Sequence, residues 1–419
     1  MSFEKFLICL ALFLLALAPG ATASEFELDI GFGDGGTAVL GSGDWATDIA
    51  TARDDSQLVA VQSFGGGGDG VVYRVRLDGT LDPEFGSFGV AEPRNFNSES
   101  LFALDVDRDN KILLAGGGNI GRNFFSPILV RLNSDGSIDR SFKRRSLPRR
   151  GGPMYRDVIA LGNGKVLVAG NVDDRRNDRR PGAFVRRMTS SGEPDPTFGS
   201  KGRVVVRGKR DLSTGIQSLQ LLPDGKFMAA GYLSGEPFAM RLLRNGRLDK
   251  GFGMRGYVRT RIGTDHSCEI YPRCAMSGLV VSPNGSVFVM ASRAAKGNGF
   301  DRTVVVKLSK RGKLVKKFGK RGRAVIKPKG VRLYPGEGLV RLPDGRLLIN
   351  SGSPKGFTLV ALDPRSGKID GTFGTYGVLS SRDGKEASAA SVVSDGTLYV
   401  AGPSGIRTVS VQRFVESQP

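Results

Sequence analysis

The residues best suited to chemistry are few and scattered. His266, the single histidine, stands in "TDHSCEIYPRC" beside Asp265, Cys268 and Glu269, where a general base could be sought. No nucleophile with partners accompanies it. Two thiols and one imidazole supply three ligands, one short of a structural zinc site, and no second ligand pair exists elsewhere. Cys268 and Cys274 are therefore expected to close a short disulfide loop, worth about 2 kcal/mol of chain entropy. "DVDRDNKILLAGG" places Asp105, Asp107 and Asp109 at the spacing of the first calcium ligands of an EF-hand loop. The sixth position is Asn110 where glycine is required and the twelfth is Gly116 where glutamate is required, so the stretch reads as a turn and no metal is expected.

Charge is the stronger signal. The chain carries a formal +20 at pH 7, a balance that attracts polyanions. The cations cluster in "KRRSLPRR", in "RRNDRRPGAFVRR", which contains Arg175, Arg176, Arg179 and Arg180, and in "KLSKRGKLVKKFGKRGRAVIKPK". The last runs from 307 to 329 with eleven Lys or Arg and no acid, and it includes Lys316, Lys317, Lys320 and Arg321.

The first residues have the form of a secretory signal: Lys5, the apolar run Phe6 to Ala18, then Ala21-Thr22-Ala23 as a cleavage site. The expected organisation is a signal peptide over 1–23 and a single domain over 24–419. No later stretch has the roughly 20 apolar residues of a membrane helix. A secreted or periplasmic location, permissive for disulfides, makes anionic polysaccharide, wall polymer or another protein the expected partner in place of nucleic acid.

The elements that must position these residues come from a repeat. Phe32, Phe85, Phe142, Phe198, Phe252, Phe318 and Phe373 each sit in a variant of "LDPEFGSFG", at intervals of 53 to 57 residues except for one of 66. Between them recur a polar turn followed by an apolar run, as in "PDGKFMAAG", and a third run such as "VVYRVRL". These runs are strand-length and bounded by Gly, Asn, Asp and Pro. Each unit thus reads as four antiparallel strands, a to d, with tight Asn-Gly or Asp-Gly hairpins between a and b. Seven such units predict an all-β, seven-bladed β-propeller. The recurrent Phe is expected to wedge between adjacent sheets, burying about 2 to 3 kcal/mol each. The last unit stops after its c strand while residues 26–40 read as a d element, so the two ends should complete one blade and leave no open edge.

With Leu81, Asp82, Phe85, Gly86 and Gly89 in place, the units resemble the delta-60 repeat, a bacterial propeller-type repeat whose hallmark is "LDxxFGxxG". The resemblance spans the chain after residue 23 and departs in "SFKRRS", which lacks both glycines, and at Val315, which replaces the aspartate. It is similar to NHL-type propellers in architecture. It implies the fold and brings no catalytic motif or cofactor.

Topology assigns the a–b and c–d turns to one face and the longer b–c and d–a loops to the other, where scaffolded binding usually resides. Counting back from each a–b turn sets Asp48, Phe102, Arg156, Gln217, Ser277, Glu337 and Ser388 at one level of the inner strands. Asp48, Arg156 and Glu337 are the candidates at the channel mouth. The leading expectation is a non-enzymatic binding or scaffold module, and the alternative is a propeller lyase or hydrolase acting on polysaccharide there.

Overall fold

In the computed structural model the chain forms the expected ring. The structure describes residues 26–416 apart from 43–44, 63–69, 94–98, 120–124, 144–153, 173–180, 210–211, 213, 261–273, 295–299, 332, 334–335, 354–355, 381–388, 393–394 and 406–407. Cys268 and the signal segment lie outside the described residues, and so does the expected Cys268–Cys274 bond. All described regular structure is strand, and no helix is long and apolar enough to cross a membrane.

Blade 3 shows the pattern: Met154–Ala160, Val166–Val172, Gly182–Met188 and Arg203–Arg207 pair antiparallel in that order. The inner strands of the seven blades are Trp45–Thr51, Glu99–Val106, Met154–Ala160, Gly215–Leu221, Cys274–Val281, Gly336–Arg341 and Ala389–Val392. Each touches the next, and the last meets the first. Blade 2 has three described strands, since residues 144–153, where its fourth is expected, are outside the described set.

Closure follows the reading of the chain ends. Thr408–Glu416 pairs with Leu398–Gly405 on one side and with Phe26–Leu28 and Thr37–Ser42 on the other. The first described residues thus supply the outer edge of the blade built from the last, which leaves no open edge there.

The repeat motif is where one blade grips the next. All seven motif phenylalanines are essentially fully buried, each between two sheets, as Phe85 is between residues of blades 1 and 2. The glycine after the ring turns the chain with positive φ: Gly86 sits at φ 59°, and a Cβ there would lie 2.1 Å from the Val90 carbonyl oxygen. Its N–H is thereby freed to donate to the Asp135 carbonyl of the next blade at 2.7 Å. Gly33, Gly199, Gly253 and Gly319 make the same bond to Asp78, Asn245, Arg311 and Ser366.

An arginine on strand c completes the fastener. Its guanidinium lies over its own blade's ring, at 4.6 Å for Arg131 and Phe142, 4.8 Å for Arg187 and Phe198, and 5.0 Å for both Arg241 with Phe252 and Arg413 with Phe32. It donates sideways to the motif aspartate, at 2.8 Å from Arg131 to Asp139 and 2.7 Å from Arg187 to Asp195. It also donates forward to the next blade's c–d turn, as Arg187 does to the Arg244 carbonyl at 2.6 Å and Arg241 to that of Lys310 at 2.6 Å. In blades 2, 3 and 4 a lysine after the a–b turn joins from the other side, with Lys111 to Asp139 and Lys165 to Asp195 at 2.7 Å and Lys226 to Asp249 at 3.1 Å.

Burial by itself would raise the Asp195 carboxyl. Bonds from Lys165, from the Thr197 hydroxyl and backbone, and from Arg187 outweigh it and hold the group well below the usual carboxylate range. A depressed folded value means stability that is complete above the usual pKa near 4 and is lost as the pH falls through the folded value. Removing a carboxylate that pairs two cations in a largely dry site leaves them uncompensated. Asp195→Ala is therefore expected to cost about 3 kcal/mol in urea unfolding at pH 7, with the gap to the parent chain narrowing as the pH drops below about 4.

Candidate functional site

Two regions gather groups capable of chemistry, the channel and the basic edge of blade 5. Inner strands carry a bulge in each of blades 1 to 6, at Thr47, Phe102, Arg156, Gln217, Ser277 and Glu337. Asp48 falls one residue beyond its bulge, paired with Ala60, and so sits a step off the level of Arg156 and Glu337. Arg156 lies 4.3 Å over the Phe102 ring of the preceding blade. Ser388 and His266 lie outside the described residues.

The channel's principal acids are Asp48, Asp105 and Asp157, all half-buried on inner strands. Each carboxylate accepts once at home and once from the following blade. Asp48 takes Ile49 N–H at 2.9 Å and Leu104 N–H at 2.8 Å, and Asp105 takes Val106 at 2.8 Å and Ala160 at 2.7 Å. Asp157 takes Val158 at 2.7 Å and Leu219 at 2.5 Å. The amide oxygen of Gln220 continues the series to Val281 N–H at 2.8 Å. Two inner-strand positions, that of Asp48 and Asp157 and, two residues further from the bulge, that of Asp105 and Gln220, thus alternate to stitch four consecutive seams, from blade 1 to blade 5.

Walling in by protein makes ionisation costly for these acids. Burial pushes Asp48 up to about 7 and Asp105 up to about 6, against the backbone bonds that favour the charged form. Asp157 rises well above the usual range, first from burial and then from repulsion by Asp48 and Asp105. A carboxyl that keeps its proton near neutral pH is what a general acid needs. Here both oxygens of each group are engaged by backbone donors, and among the described residues no acid, thiol or imidazole cluster could hold a metal.

Asp105 had been read as part of a turn, and Asp157 had not been singled out. The available signal was an acid in the middle of an otherwise apolar inner strand, "LFALDV" and "MYRDVIA".

The second region is blade 5. Lys316, Lys317, Lys320 and Arg321 are all exposed on the c–d turn, just before the outer strand Arg323–Ile326. Arg321 holds φ 54° at the turn tip, a left-handed conformation. The motif aspartate that draws on a cation in neighbouring blades is Val315 here. Among the described residues none of these four cations has an acidic partner within ion-pair distance. Arg175, Arg176, Arg179 and Arg180 lie outside the described residues, as do most of the long b–c and d–a loops.

If burial governs the channel acids, the Asp48 carboxyl titrates near pH 7 and that of Asp105 near pH 6. Raised folded values mean stability that is full below about pH 4 and declines as the pH rises through 6 to 7. Carbon-detected NMR of the aspartate carboxyls across pH 3 to 9, assigned with Asp48→Asn and Asp105→Asn, reads the values directly.

Comparison with known proteins gives the same architecture. A family model described as a β-propeller domain of unknown function (DUF5122) matches residues 58–85 and 108–142. No curated protein matches the chain. Among solved structures, the chain is similar to a periplasmic gluconolactonase of Pseudomonas aeruginosa, with TM-score 0.51 and 12% identity over 81% of this chain and 86% of that one. It is also similar to the polysaccharide lyase Uly1, with TM-score 0.50 and 10% identity over 88% of this chain and 90% of that one. At such identities the likeness is one of fold. The chain is a propeller-repeat protein with seven blades.

Proposed function

We propose that this propeller, whose units resemble the delta-60 repeat, is a secreted or periplasmic binding module for an anionic cell-surface polymer, held by the basic edge of blade 5. The observation that carries the reading is the local loss of acid. In blades 2, 3 and 4 the motif aspartate neutralises a c-strand arginine, whereas blade 5 has Val315 and presents Lys316, Lys317, Lys320 and Arg321 to solvent. Lysines on an edge strand also discourage sheet-to-sheet pairing. That role needs cations on the strand, and these four stand on the turn before it.

A rigid ring with an unneutralised cationic edge suits a repeating anion, because successive charges on the polymer meet successive turns without ordering either partner. A second reading, a propeller enzyme acting on polysaccharide at the channel, is favoured by the raised channel carboxyls alone.

Retention of the purified protein on columns of uronic-acid, sulfated and phosphate-bearing polymers tests the proposal. Selective retention is expected to fall steeply with salt and to drop at least tenfold when Lys316, Lys317, Lys320 and Arg321 are changed to Glu. Equal, weak retention on every polymer, unmoved by the reversal, would reject it. Turnover of a polymer that disappears in Asp48→Asn would favour the enzyme.

A further inference from the structure

The seam between blades 5 and 6 departs from the fastener at three positions at once. Lys307 stands where blades 1 to 4 have Arg74, Arg131, Arg187 and Arg241. Val315 stands where they have Asp82, Asp139, Asp195 and Asp249, and Ser286 stands where blades 2 to 4 have Lys111, Lys165 and Lys226. The backbone frame is unchanged: Val315 N–H donates to the Lys307 carbonyl at 3.0 Å, as Asp139 does to Arg131 at 2.9 Å. What is missing is the carboxylate that would pair with the c-strand cation. Beside that cation, Ser286 and Lys307 of blade 5 and the turns of blade 6 line a cavity of about 700 Å³ on the face of the a–b and c–d turns, within the size range of small-molecule sites.

The cavity is built for negative charge. The Lys307 ammonium reaches the Pro364 carbonyl of blade 6 at 2.7 Å and lies 5.2 and 5.8 Å from the centroids of Phe288 and Phe318. An ammonium has three donors, and Pro364 takes one. Burial pushes Lys307 below the usual lysine value, with only a partial offset from Asp363. Arg341, Arg365 and Lys368 also line the space. Among the described residues the Arg341 guanidinium and the Lys368 ammonium have no hydrogen bond or ion pair.

The lining holds five cations, Lys307, Arg341, Arg346, Arg365 and Lys368, against three acids. Asp363 accepts from its own turn at Arg365 N–H and Ser366 N–H and Oγ, Asp370 accepts twice from Thr372 on one oxygen, and Asp344 accepts from Arg346, so the cations keep the excess.

We propose that this cavity binds a compact oxyanion-bearing ligand, whose carboxylate, sulfate or phosphate pairs with Lys307, the c-strand cation that has no motif aspartate in its own blade. The remaining space accommodates a scaffold of roughly one sugar ring, with Ser282 and Asn284 among the lining groups available to its hydroxyls. The site is on the turn face, opposite the long loops, and it is separate from the polymer-binding edge at Lys316 to Arg321.

Calorimetric titration of the full chain with glucuronate, sulfate and inorganic phosphate at low ionic strength tests it. The three arms separate a sugar acid from a free inorganic anion. Saturable one-to-one binding of at least one probe is expected. Val315→Asp restores the internal carboxylate and should weaken that binding at least tenfold without lowering the thermal unfolding temperature.

Should Val315→Asp not fold, Arg341→Ser with Lys368→Ser carries the same expectation from the cavity lip. The fourfold edge reversal is expected to leave small-anion binding within threefold, and Val315→Asp to leave polymer retention intact, so either proposal can fail alone. No saturable binding of any probe, or binding that survives both sets of cavity variants, would overturn the assignment.

Discussion

This ring depends on how one blade holds the next, and in blades 1 to 4 and the closing blade the repeated contact is a c-strand arginine clamped between a phenylalanine ring and an aspartate. Strand c supplies the arginine, the d turn supplies the ring and the carboxylate, and the same guanidinium reaches the following blade's turn carbonyl. The aromatic burial is apolar and undirected. The ion pair and the two forward hydrogen bonds set the angle and register at which each sheet meets its neighbour. Closure uses the same device, since Arg413 of the last described strand donates to Asp29 near the first and to the Leu77 carbonyl of blade 1.

A second set of inter-blade bonds works from the channel side. Asp48, Asp105, Asp157 and Gln220 hand an acceptor from blade to blade, while the fasteners act further out along the same seams. The two sets differ electrostatically. Outer aspartates are held charged by cations, whereas burial raises the inner ones, with mutual repulsion adding to the rise at Asp157. Carboxyls used as neutral or shared acceptors cost little below neutral pH and more above it, which makes the channel the pH-sensitive part of the ring.

Much of this was legible in the chain. Seven phenylalanines at a near-constant interval fixed the blade count, and a d element before the first full unit with no d element after the last implied closure between the ends. Both readings required only periodicity. The arginine of the fastener stands eight residues before its aspartate in blades 1 to 4, as in Arg187 and Asp195, yet it was hidden in what looked like an alternating strand. The channel was harder, because the a–b turn of blade 1 has no glycine to mark it: its positive-φ residue is Asp55, where blades 2 to 6 have Asn110, Gly164, Gly225, Gly285 and Gly345, and counting from Ser56 shifts the level from Thr47 to Asp48. The seam cavity was the least visible. Ser286, Lys307 and Val315 belong to three different strands or turns of one unit, and each looks like an ordinary variation until the fold brings them together.

On the proposals above, the departures from the repeat, more than the repeat, are the places where a ligand would be held. Crystals grown with a saturating acidic oligosaccharide, one bearing uronate or sulfate groups, test that claim most directly. The account predicts acidic groups at two separate places, one within hydrogen-bond distance of Lys307 at the blade 5–6 seam and others over the cations from Lys316 to Arg321. An oligosaccharide ordered in the channel against Asp48 and Asp157, with blade 5 bare, would contradict it.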